Sequence, residues 1–166
     1  MPQIFAGRYA AHSDDPFVVF LIGMRVNRIF ALSKWPRVAA AMPPMIAELK
    51  RDPSIGLLHA QYFVYWRGVG VMQYWRSFEQ LHAYAHARDA AHLPAWAEFN
   101  RRIGNSGSVG IWHETYIVAP GQYESIYANM PRFGLGAAAQ HVPASGRLET
   151  ARSRIGREKS GKSERA

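Results

Sequence analysis

The feature that most constrains this chain is an order. Four apolar, aromatic-rich runs, at 17–26, 57–66, 69–75 and 109–118, are interrupted by helical patterns after the first run and after the third. Strand, helix, strand, strand, helix, strand is the order of a split βαβ unit, an α+β sandwich in which a four-stranded antiparallel sheet carries helices on one face. Such a layer arrangement suggests a pocket rather than a surface that reads a polymer.

The centre of the chain is the clearest part. Two β-prone runs meet at Arg67, Gly68, Val69 and Gly70, a glycine-containing turn that predicts an antiparallel hairpin. Tyr62, Phe63, Tyr65, Trp66, Tyr74 and Trp75 fall inside or end these strands, so both sheet faces are expected to meet something apolar: helices on one side, a second subunit on the other.

Helix signals flank the hairpin. From Ser33, with Pro36 suited to a first turn, Val38, Met42, Met45, Ile46 and Leu49 follow helical spacing to the Asp52, Pro53 stop, and Pro43 and Pro44 are expected to kink or split the helix. Ser77 followed by Glu79 and Gln80 is a capping-box pattern that starts a second helix burying Phe78, Leu81 and Ala85 to about Asp89. A short helix restarts at 92–96 and closes at Arg101, Arg102 and Gly104. Residues 1–16 read as an arm, and Tyr123, Ile126, Tyr127 and Met130 as a single helical turn.

At 166 residues with 48% apolar content, one domain is the default, spanning residues 1–144. The absence of cysteine excludes disulfides, thiolate ligation and a cysteine nucleophile, and suits a cytoplasmic protein. The longest apolar stretch, 17–24, is far below the roughly 20 residues needed to cross a bilayer, so no membrane partner is expected. Net charge is +8, but residues 145–166 hold seven Lys or Arg and three Glu and so supply +4 of it. That polar tail is expected to be disordered, and nucleic acid is not expected as a partner.

Several side chains carry possible chemistry. His92, just ahead of Pro94, sits where a neutral imidazole could serve as a base or a metal ligand. His113 and Glu114 fall on opposite faces of the last strand, so they form no simple dyad, and Arg76 is a partner for the carboxylate. His82 and His86 share a helix face, but two ligands are not a metal site. Trp75 is expected at a pocket rim, where it could wall a flat aromatic substrate, with Trp66, Trp96 and Trp112 nearby and Tyr65 as a further contact. No phosphate-binding glycine loop, HExxH pattern or GxSxG elbow occurs, so no metal or nucleotide cofactor is expected.

The stretches VFLIGMR (19–25), YWRSF (74–78), HLPAWAEFN (92–100), GIWHETY (110–116) and YESIYANMP (123–131) resemble the DUF4188 family, also described as monooxygenase-like, over roughly residues 5–140. That family is similar to the dimeric α+β barrel proteins with a ferredoxin-like sheet, which include cofactor-free monooxygenases, haem-degrading monooxygenases and haem-dependent aldoxime dehydratases. The resemblance implies a homodimeric oxidoreductase acting on a small hydrophobic, aromatic or polyketide-like substrate, with His92 or His113 as base and no cofactor. It implies as an alternative a haem held by His92. A non-catalytic ligand-binding or stress-associated module is the reading from a different class.

Overall fold

The computed structural model describes residues 2–32, 35–87, 97, 101 and 106–155. Where the sequence leads one to expect a single domain, these divide into two compact units: a central one, Val18–Tyr116, and a terminal one made of Met1–Phe17 and Ile117–Ala166. Strand β1 (Phe5–His12) belongs to the terminal unit.

The central unit is built from β2 (Phe17–Val26), α1 (Trp35–Arg51), β3 (Leu57–Tyr65), β4 (Gly68–Trp75), α2 (Phe78–His86) and β5 (Val109–Val118). Its sheet has the order β3-β4-β2-β5, the ferredoxin-like arrangement that the element order predicts. Strand β4 is antiparallel to both neighbours, pairing from Val18↔Trp75 to Arg25↔Gly68 on one side and from Leu57↔Trp75 to Tyr65↔Gly68 on the other.

Because side chains alternate along a strand, Val18, Phe20 and Ile22 share a face with Trp75, Gln73 and Val71. That face is the cored one. Val18, Val71 and Trp75 cluster with Ile46 and Leu49 of α1 and Leu81 of α2. Helix α1 remains one helical segment through Pro43 and Pro44, so of the expected kink or split the split does not occur. Both prolines are exposed, so water can satisfy the carbonyls they leave unpaired. Helix α2 starts as its cap predicts, with the Ser77 hydroxyl accepting from the Gln80 amide at 3.2 Å. The helical restart expected at 92–96 lies outside the described residues.

The terminal unit departs from the sequence reading. Residues 5–12 are no loose arm but the middle strand of a three-stranded sheet, flanked by β6 (Tyr127–Met130) and β7 (Gln140–Pro143). The segment read as a helical turn is thus a strand, antiparallel to β1 with Tyr9 opposite Tyr127. Side-chain acceptors extend the pairing: Gly7 N–H donates to Asn129 Oδ1 and Ala11 N–H to Ser125 Oγ, each at 2.9 Å.

Residues 145–155, expected as part of a disordered tail, carry a 3₁₀ turn (Gly146–Leu148) and a short helix (Ala151–Arg154) capped by Thr150. Arg154 supplies the reason. It is buried, ion-paired to Glu124, and donates through Nη1 to the carbonyls of Leu148 and Glu149 at 2.7 and 3.1 Å.

Candidate functional site

The residues singled out in the sequence separate onto the two faces of the central sheet. Trp112 fixes the phase of β5, because its indole lies where a Cβ on Gly23 would come within 2.9 Å of it. Gly23 is on the face opposite Val18, Phe20 and Ile22. Trp112 and Glu114 therefore share the open face, and His113 faces the helix side. His113 is exposed, its ring tilted against Phe20 at a centroid separation of 5.7 Å.

The open face is paved with rings. Trp112 Nε1 donates to Tyr65 Oη at 2.5 Å, and Tyr65 Oη donates to the Met24 carbonyl at 2.7 Å. The two rings meet edge to face at 5.9 Å, and Tyr65 is tilted against Phe63 at 5.7 Å. Gly68 has the same role under Tyr65 that Gly23 has under Trp112, since a Cβ there would come within 2.5 Å of the phenol ring. Small residues on β2 and β4 thus let flat side chains from β5 and β3 lie on the backbone, a pattern visible in the sequence only once the register is known.

Glu114 accepts from Tyr116 Oη at 2.6 Å, and that bond, ahead of the carboxylate's charge, holds the Tyr116 phenol above its ordinary pKa. Tyr116 is a partner the sequence reading did not name, although its two-residue spacing from Glu114 puts both on one face. Arg76, expected to pair with Glu114, is exposed beyond the end of β4, and no ion pair joins the two.

Trp75 differs most from expectation. Instead of standing at a rim it is completely buried in the core, its Nε1 donating to the buried Gln73 Oε1 at 2.8 Å. Opposite Val18 and Leu57 in the pairing, it has no path to solvent. Tyr84 closes the same side from α2: its ring is 5.8 Å from Trp75, and its hydroxyl donates to Glu48 Oε2 at 3.1 Å. Burial first, then that bond, pushes the Tyr84 phenol far above its ordinary pKa.

His92 and Trp96 lie outside the described residues. On α2, His82 and His86 stack at 4.1 Å, and His86 Nδ1 sits 2.8 Å from the His82 carbonyl, a contact that makes this nitrogen a donor rather than a metal ligand. Among the described residues no three His, Asp or Glu side chains gather to hold a metal ion. The haem alternative rests on His92, which lies outside the described residues; on the described part of the helix side Trp75, Val18 and Val71 pack the core, and the His113 ring lies against Phe20.

Comparison with known proteins bears on this arrangement. The sequence profile of the Monooxygenase af470-like family matches residues 17–135. Over 147 residues the chain is 31% identical to Monooxygenase af470 of Aspergillus fumigatus, a match covering 78% of this chain and 50% of the fungal protein. The chain thus spans about half the length of that relative. Among solved structures, it is similar to a Bacteroides thetaiotaomicron protein of unknown function, described as a possible oxidoreductase, at 15% identity and a TM-score of 0.43 over 63% of this chain and 99% of the other. It is also similar to a dimeric ferredoxin-like protein from an uncultured marine organism, at 15% identity and a TM-score of 0.32 over 63% and 95%.

Proposed function

Because this chain belongs to the Monooxygenase af470-like family, we propose that it is a monooxygenase-like oxidoreductase acting on a small hydrophobic, aromatic or polyketide-like molecule without a cofactor. The observation that carries this reading is His113, an imidazole on the helix side of β5 lying against the apolar ring of Phe20. His92, in the stretch that resembles the monooxygenase-like family, is the second candidate base.

The chemistry balances without an added reductant. The imidazole removes a proton from an activated C–H of the substrate, and the carbanion passes one electron to dioxygen. Recombination of the radical pair gives a hydroperoxide, and loss of water leaves a carbonyl. One CH₂ and one O₂ become one C=O and one H₂O, so the substrate supplies all the electrons. In this reading the ring-paved open face bearing Trp112 and Tyr65 pairs with a second copy to form a homodimer.

The test is oxygen uptake by the purified protein with a phenolic ketone carrying an acidic methylene. His113→Ala is expected to lower the rate by about 100-fold. An unchanged rate in both His113→Ala and His92→Ala would remove the proposed base. A second reading, a non-catalytic module that binds a small ligand, draws support from the solid packing around Trp75. Ligand binding without oxygen uptake, unaltered when both histidines are replaced, would select it.

A further inference from the structure

One end of the central sheet carries an apolar ridge for which the oxidoreductase reading has no use. At this end β2 stops, β3 turns into β4 and β5 begins, and backbone bonds tie the three together. Val26 N–H donates to the Arg67 carbonyl at 2.7 Å, and the Asn27 and Arg28 amides donate to the Ser108 carbonyl at 3.0 and 3.1 Å. Arg67 Nη2 donates to the Asn27 carbonyl at 2.7 Å, and Trp35 Nε1 anchors the loop after β2 through the Ile29 carbonyl at 3.2 Å. The loop at 27–32 and the β3–β4 turn are therefore held side by side.

Both present large apolar side chains to solvent. Phe30 is 95% exposed and Trp66 79%, with Ile29, Leu32 and Val64 also exposed. Scattered apolar residues on a surface need no explanation, but four on two adjoining turns, with Val64 beside them near the end of β3, do. Among the described residues of these two segments the charges are of one sign. Arg25 and Arg28 are exposed, Arg67 is half-buried between the turns, and neither 16–47 nor 53–78 contains an Asp or Glu.

We propose that this ridge docks peripherally on an anionic bilayer, with Phe30, Trp66 and Leu32 entering the boundary between headgroups and acyl chains and Arg25 and Arg28 meeting lipid phosphates. Aromatic and aliphatic tips ringed by cations match both parts of that boundary. A second copy of the chain fits less well, because symmetric pairing of the ridge would bring arginine against arginine with no carboxylate on either described segment. Attachment of this kind needs no spanning helix, and none of the described helices is long and apolar enough to span.

The test is co-sedimentation of the full chain with vesicles of phosphatidylcholine alone and of phosphatidylcholine mixed with phosphatidylserine. The chain is expected to pellet with the mixed vesicles and several-fold less with the neutral ones. Phe30→Ser combined with Trp66→Ser should lower partitioning by about tenfold or more, and Arg28→Gln by about fivefold. Unaltered circular dichroism would show that the variants remain folded. The apolar double variant keeps every Lys and Arg, so its loss of binding cannot come from the basic C-terminal segment. Binding by that variant equal to the parent's, or no pelleting with either vesicle, overturns the proposal. So does a concentration-dependent rise in mass that the same variant abolishes, which would assign the ridge to a second copy.

Discussion

The central and terminal units are both small sheets, yet they are held by different forces. In the central unit Trp75, Val18 and Val71 are shut away against two helices, so burial of apolar area dominates. In the terminal unit the strands are short and the fixings polar. Asn129 and Ser125 accept β1 amides, Tyr123 Oη accepts from Ser13 N–H at 2.6 Å, and Glu124 grips Arg154. Its apolar share is buried Ala10, Phe17 and Leu135 together with an aromatic group in which His141 stacks on Tyr9 at 4.5 Å and meets Phe5 edge to face at 4.8 Å. The lesson is that one chain can contain a region governed by area and a region governed by charge and hydrogen bonding, and the two should fail under different conditions.

That contrast can be broken or sharpened by experiment, helped by the fact that all five tryptophans lie between residues 35 and 112 and so report on the central unit alone. The largest effect is expected from Trp75→Ala, which should cost the central unit about 4 kcal/mol and lower the denaturant midpoint of tryptophan fluorescence. Next comes Arg154→Met, which strands the Glu124 carboxylate. It should cost the terminal unit about 3 kcal/mol, seen as faster hydrogen exchange of β1 amides while the fluorescence transition stays put. A fluorescence shift of equal size would show that the units unfold together and would erase the distinction.

Gly23→Ala should follow, costing about 1–2 kcal/mol because the Trp112 indole must move off its strand. Loss of the indole's bond to Tyr65 would be read from the fluorescence spectrum. The smallest effect runs the other way. Among the described residues neither ring nitrogen of His141 finds a hydrogen-bond partner, and burial first, then the Arg132 charge, holds its pKa below the ordinary 6.5. The unfolded chain therefore takes up the proton first. Stability from the neutral ring is complete above about pH 6.5 and declines as pH falls toward the depressed folded value. His141→Phe keeps the ring packing, should stabilise the terminal unit by about 1 kcal/mol, and should remove that acid sensitivity from its thermal melt.

The same contrast explains what could be read in advance. The strands β2 to β5, the Ser77 cap and the ferredoxin-like order were legible because each rests on a run of eight or more residues or on neighbours in sequence. The terminal sheet was not, because β6 and β7 are four residues each, too short for periodicity to show, and β1 is broken by a register shift between Phe5 and Arg8. At the candidate site, alternation was enough to separate His113 from Glu114, but which of them faces the helices depends on how β5 is phased against Gly23, a long-range fact. The burial of Trp75 was hidden for a similar reason: β4 is apolar on both faces, and only its register with Val18 selects the core side.

The strand at the middle of the terminal sheet is formed by residues 5–12, and both of its neighbours come from beyond residue 126. At ordinary rates of translation β1 leaves the ribosome about ten seconds before either of these neighbours. During that interval the helix-backed sheet can close by itself. The eight residues of β1 therefore wait for their place in the terminal sheet until residues 127–143 are made.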